Sequence, residues 1–169
     1  SVHPLTIADR IPAVGEGIDV ISGYWRRGYT CRVDAIIPEL REAGWTMVES
    51  IRYSRPGCNT IGGTSGSPII SLDTKEVVGV NNTGNESGKK CKMNNPCEVD
   101  SNGTITYEKG RSYGQQTYWI YGCLTADRKI DLGIAGCQLA KPTSKTSTSS
   151  DQPRRSVWPS SRLTRRSGI

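Results

Sequence analysis

The residues that could do chemistry cluster in one short stretch. Thr60-Ile61-Gly62-Gly63-Thr64-Ser65-Gly66-Ser67-Pro68-Ile69-Ile70 sets Ser65 among glycines and then runs straight into an apolar segment. A nucleophilic serine needs an exposed Oγ, little steric cover and free backbone N–H groups close by. Glycines at 63 and 66 open backbone conformations closed to residues with side chains, so the amides of Gly63 and Ser65 can converge on a developing oxyanion. The same composition suits a plain Gly/Ser turn between strands, and the residues alone leave both readings standing. A lipase-type elbow, G-x-S-x-G, is excluded because Ser67 occupies the place of the last glycine. Ser87-Gly88-Lys89-Lys90 has the S-x-x-K spacing of another hydrolase class but none of its companion motifs. A phosphate-cradling loop, a dinucleotide fingerprint and paired metal-binding carboxylates are all missing from the sequence, so neither a cofactor nor a metal is expected.

The elements that must hold Ser65 read as strands. Ile18, Val20, Ser22 and Tyr24 alternate with Asp19, Ile21 and Gly23, and 29–37 follows as the partner of 17–24 after an Arg26-Arg27-Gly28 turn. Residues 38–43 read as a short helical turn. Trp45, Met47, Glu49, Ile51 and Tyr53 then alternate with Thr46, Val48, Ser50 and Arg52 over a third strand, 45–53. A second hairpin, 67–72 with 76–82, turns at Asp73-Thr74-Lys75. Residues 84–103 lack an apolar period and read as an irregular insertion pinned by Cys91 and Cys97, and further strands are expected at 104–107 and 115–121. Six or seven short strands predict an all-β fold, an antiparallel barrel or sandwich.

The 169 residues include 19 glycines, 9 prolines and no phenylalanine, which suits a turn-rich β domain and excludes collagen and coiled coils. Cys31, Cys58, Cys91, Cys97, Cys123 and Cys137 form an even set with no C-x-x-C pair and a single histidine beside them. Disulfides are therefore expected rather than zinc, and with them a secreted, extracellular setting. Six cysteines allow 15 connectivities; the short intervals suggest local staples, Cys91 with Cys97 and Cys123 with Cys137, which would leave Cys31 for Cys58. No run approaches the roughly 18 apolar residues of a membrane helix. The net charge of +6 resides in 138–169, where seven cations face only Asp151, and the remainder is balanced. No nucleic-acid surface is expected on the folded body. The Ser/Thr/Pro/Arg-rich segment 138–169, with Trp158 as its one aromatic, reads as a disordered basic tail after a folded unit over 1–137. Asn81, Asn85 and Asn102 each open an N-x-[ST] acceptor that matters only in a eukaryotic secretory route.

Gly63-Thr64-Ser65-Gly66-Ser67-Pro68, followed after one hairpin by Val77-Val78-Gly79-Val80, resembles the nucleophile loop and next strands of chymotrypsin-like (trypsin-family) serine peptidases. Their usual form is G-D-S-G-G-P, and the bacterial secreted branch often carries G-x-S-G-S-P. The resemblance extends over roughly 5–125, with 17–24 as an early strand of the C-terminal barrel and 115–120 as its closing strand. It implies the C-terminal half of a double barrel and a serine endopeptidase acting on proteins or peptides. Ser65 would attack the scissile carbonyl, and the amides of Gly63 and Ser65 would form the oxyanion hole. Asn59 and Thr60 would lie near the pocket for the side chain preceding the cut bond. Asn81, Asn82, Thr83 and Gly84 would offer strand edge to an extended substrate. With no Asp at 59, a preference for Lys or Arg is not implied. Thr60 resembles the glutamate-selective bacterial members, but the histidine they keep on the following strand is replaced by residues such as Val80 or Asn81, so specificity stays open.

Two departures shape the expectation. Thr64 stands where the animal enzymes keep an Asp that pairs with a freshly cut N-terminus, so activation by that ion pair is not expected. The family orders its triad His, Asp, Ser with the His far upstream, whereas only 64 residues precede Ser65 here. The resemblance thus implies a missing N-terminal barrel that carries the His and the Asp, and an isolated chain without activity. His3 is the sole imidazole and reads as a terminal, solvated residue. Asp9 and Asp19 read as turn or surface carboxylates. The alternative is a non-catalytic homologue that binds peptides or proteins after losing its base, and a basic-tailed adhesion or nucleic-acid protein is a further, weaker reading.

Overall fold

In the computed structural model of the chain, which describes residues 4–139, strands dominate. In β1 (Gly17–Ser22) the side chains of Ile18, Val20 and Ser22 point inward in alternation. It turns back into β2 (Arg27–Glu42) in antiparallel register from Gly17 opposite Arg32 to Ser22 opposite Arg27. β3 (Trp45–Tyr53) follows β2, and β4 (Pro68–Ser71) and β5 (Val77–Gly84) form the second hairpin. Short strands β6 (Cys97–Val99) and β7 (Ile105–Thr106) precede β8 (Ser112–Gln116), and a 3-10 helix spans Tyr118–Cys123. Every named strand pair is antiparallel. The neighbours run from β1 through β2, β3, β8, β5 and β4 and return to β1, a closed circuit of six strands, with β6 and β7 added outside β2.

The side chains turned into this circuit make the core: Ile18, Val20, Tyr29, Val33, Ile51, Tyr53, Ile69 and Val78, with Cys31 and Cys58. Each fully buried aliphatic residue contributes roughly 1.5–3 kcal/mol. Space runs out at Gly114 on β8. A Cβ there would collide with Ile69 and stand 2.7 Å from the Tyr53 hydroxyl, so glycine is required by close approach.

Both hairpins and the bounds of β3 are present as the alternation predicts, but the first hairpin turns at 23–26 rather than at Arg26-Arg27-Gly28, since Arg27 and Gly28 already pair with Ser22 and Ile21, and three further expectations need correction. Residues 38–43 are not helical, because β2 continues through Pro38 to Glu42. Pro38 falls opposite Glu49 at the one interrupted position between Ile37–Ser50 and Glu39–Val48, and Glu49 has φ of 50°, so the missing N–H costs the ladder nothing. The last strand is Ser112–Gln116 rather than 115–121, whose remainder coils into the 3-10 helix. The insertion 84–103 is not wholly irregular, since β6 pairs with Glu39–Arg41 of β2.

Disulfides join Cys31 to Cys58, Cys91 to Cys97 and Cys123 to Cys137, with Cα separations of 5.3, 5.0 and 4.7 Å, as the intervals predicted. Across β2, β3, β6 and β8 the cross-links are ionic. Arg52 donates to Asp34 (2.7 Å) and Glu98 (2.8 Å), Tyr113 donates its hydroxyl to Glu98 (2.8 Å), and Arg111 reaches Asp34 (3.1 Å) and Glu108 (2.7 Å). Ahead of β1, Arg10 grips Glu16 through two bonds of 2.8 and 2.9 Å, and the Ala13 N–H adds a third. The Arg10 guanidinium holds the Glu16 carboxyl down at about 2. No helix among the described residues is long and apolar enough to cross a membrane. His3 and residues 140–169, nearly all of the expected tail, lie outside the described residues.

Candidate functional site

The loop that carries Ser65 starts at Cys58, tied to β2 through Cys31, and ends at Pro68, the first residue of β4. Gly63 and Gly66 adopt φ of 86° and 85°, left-handed values that explain glycine at both places. The turn closes on itself through Thr64 N–H to the Ile61 carbonyl (3.1 Å) and Ser67 N–H to the Thr64 carbonyl (3.1 Å). Gly66 N–H donates to the Asn81 carbonyl of β5, 2.8 Å away. Among the described residues the N–H groups of Gly63 and Ser65 have no acceptor, and neither do those of Thr60, Ile61 and Gly62. Ser65 is exposed, and its Oγ donates to the Asn82 carbonyl at 2.7 Å.

Trp25, from the β1–β2 turn, clasps the loop from outside. Its Nε1 donates to the Gly62 carbonyl (3.0 Å), and the indole lies so close to Gly63 that a Cβ there would sit 3.1 Å from Nε1. Beneath the loop runs a buried relay. The Tyr53 hydroxyl donates to Asn81 Oδ1 (3.0 Å), Asn81 Nδ2 donates to Thr64 Oγ1 (2.9 Å), and Thr64 Oγ1 donates to the Ile61 carbonyl (2.6 Å). All three residues are at most 3% exposed. Burial raises the Tyr53 phenol well above its ordinary range and keeps it a donor.

A cleft of about 490 Å³ opens beside Ser65, walled by 59–65 and 81–86 together with Asn94 and 110–112. Asn59, Thr60, Gly63, Ser65, Asn81, Asn82, Thr83 and Gly84 thus all border one cavity, although Asn81 turns its side chain into the relay beneath. β4 accompanies β5 only as far as Val80, opposite Pro68. Beyond it, Asn82–Gly84 lie along β8 on one side and face no strand on the other. The lining is mostly neutral and polar, and its one guanidinium, Arg111, is already engaged by Asp34 and Glu108. A larger groove of about 700 Å³, lined by Ile36, Pro38, Val48, Glu49, Trp119 and Gln138, offers one carboxylate that already accepts from Tyr118 (2.8 Å) and Trp119 (3.3 Å).

Neither early aspartate borders the cleft or bonds to Ser65. Asp19 accepts from Thr30 across β1 and β2 at 2.5 Å, and Asp9 is exposed. Among the described residues, no imidazole or carboxylate is bonded to Ser65 Oγ. Ser87 spends its hydroxyl on Asn95, 2.8 Å away, which leaves the S-x-x-K spacing without a free nucleophile. Sequence inspection missed Trp25 and Tyr53. A signal for the relay was present in Asn81, a polar residue that directly follows the apolar Val77–Val80 run at an inward position. Comparison of the chain with family models, curated proteins and solved structures finds no match.

Proposed function

We propose that the chain is the nucleophile-bearing C-terminal barrel of a secreted chymotrypsin-like serine endopeptidase, its six-strand circuit being that barrel. One observation carries this reading: an exposed serine hydroxyl stands at the head of β4 beside the unpaired N–H groups of Gly63 and of Ser65 itself, in a cleft walled by the uncovered end of β5. A peptide laid along Asn82–Gly84 extends the sheet and brings its carbonyl to Ser65. Ser65 Oγ then attacks that carbon, an imidazole from the missing N-terminal barrel takes the hydroxyl proton, and the Gly63 and Ser65 amides hold the oxyanion as the acyl-enzyme forms and the amine departs with that proton. The three disulfides agree with an oxidising, extracellular destination.

A second reading, a peptide-binding homologue without catalysis, draws on the bond that Ser65 Oγ makes to a backbone carbonyl rather than to a base. The gene upstream of Ser1 separates the two. If it encodes a barrel with a His and then an Asp, co-expression of that barrel with this chain yields peptide hydrolysis and Ser65 labelling by a fluorophosphonate. Ser65→Ala then lowers turnover by at least about 10³-fold. The chain by itself should give no appreciable turnover, and robust hydrolysis by it alone, lost in Ser65→Ala, would sink the two-part reading. Peptide binding that survives Ser65→Ala, with no such barrel encoded, selects the binding homologue.

A further inference from the structure

We propose that Tyr53, Asn81 and Thr64 are positioning residues that hold the Ser65 loop permanently in its anion-accepting shape. The proposal rests on the peptidase reading of the cleft and adds to it how the site is kept formed. The relay has a single direction. Tyr53 can only donate to Asn81 Oδ1 if Asn81 is to give its NH₂ to Thr64, and Thr64, having accepted, must send its own proton to the Ile61 carbonyl. That order ties the amide orientation of Asn81 on β5 to a phenol on β3 and transmits it to the middle of the loop. The backbone of Asn81 repeats the grip, since its carbonyl accepts from Gly66 and its N–H donates to Ser67 (both 2.8 Å). Thr64 is therefore held from below at its side chain and from both sides along the chain, while the two residues that flank it, Gly63 and Ser65, keep their N–H groups free.

None of the three groups is ionised, and none comes from a mobile terminus. The bonds that hold the middle of the loop come from side chains on β3 and β5 and from the loop itself. In a packed interior each partner of such a chain leaves the next unsatisfied when removed, so a single deleted hydroxyl is felt at the loop.

The test uses the ¹⁵N-labelled chain titrated with acetyl-trialanine bearing a free carboxylate, an oxyanion of the kind that two converging amides accept. In the parent chain the Gly63 and Ser65 amide resonances shift on binding. Thr64→Val, which keeps the shape and removes the hydroxyl, should weaken Kd about tenfold and abolish the Gly63 response, whereas Thr64→Ser should stay within about twofold of the parent. Tyr53→Phe removes only the distal oxygen and should weaken binding in the same direction, which keeps the test alive if Thr64→Val does not fold. Parent-like titration of both Thr64→Val and Tyr53→Phe overturns the relay and leaves the cleft reading intact. A parent chain whose Gly63 and Ser65 amides ignore the peptide overturns both.

Discussion

Around Ser65 the fold is held by neutral groups: a disulfide at the loop's entrance, two left-handed glycines, an indole clasp and the Tyr53–Asn81–Thr64 relay. Across β2, β3, β6 and β8 the corresponding contacts are ion pairs centred on Arg52, Glu98 and Asp34. The two regions differ in how much water reaches them. The relay residues are almost fully buried, where an ionised group would cost several kcal/mol to desolvate. The Arg52 and Glu98 side chains keep 24% and 15% of their exposure, enough to lower that penalty while leaving the pairs better shielded from salt than fully exposed ones. Charge is used where solvent is still available, and hydrogen-bond directionality where it is not.

The contrast can be broken or sharpened by measurement. The largest effect is expected from Cys31→Ala with Cys58→Ala. Opening a loop that spans 27 positions should remove about 3–4 kcal/mol in urea unfolding, and a loss below about 1 kcal/mol would mean the neutral region stands on hydrogen bonds alone. Next comes Arg52→Met, which leaves Asp34 and Glu98 without their shared cation and should cost about 2–3 kcal/mol. That cost should shrink in 1 M NaCl, whereas the roughly 1 kcal/mol expected for Tyr53→Phe should not change with salt. Equal salt responses would erase the distinction between the two regions. The smallest effect belongs to Arg10 and Glu16 and is seen in acid. Glu16 is held at about 2 in the folded chain against an ordinary 4.5, so the folded state binds fewer protons over that window. Its stabilisation is complete above about 4.5 and is lost as pH falls through 2. Because Arg10 is partly exposed, the amount is about 1 kcal/mol, read as the difference in acid dependence between the parent and Arg10→Met.

Local pattern made much of this legible in the sequence. The hairpins β1–β2 and β4–β5 announce themselves by alternation around short polar turns, and the pairing that the short cysteine intervals suggest, one among fifteen, is the one the structure shows. Pro38 misled because its tolerance depends on Glu49, a residue eleven positions later in the opposite strand. Tyr118–Cys123 misled because aromatic and β-branched residues read as strand, whereas here they form a 3-10 helix whose Tyr118 and Trp119 donate to Glu49. At the site, the cleft walls at 59–65 and 81–84 follow from one motif and its next strand, whereas Asn94 and 110–112 join them only through the fold. The relay beneath them does not follow from the motif, since Tyr53 meets Asn81 across 28 positions of chain and only the closed circuit of strands brings the two together.

Gly114 makes that meeting possible. It is a notch cut in one strand to admit the ring of a residue on another, and a single methyl group in the notch would lever Tyr53 away from Asn81. The disturbance would then pass along a chain of donors to a surface that position 114 never touches. A residue with no side chain, buried and chemically inert, is thereby placed under the same constraint as the Ser65 loop itself.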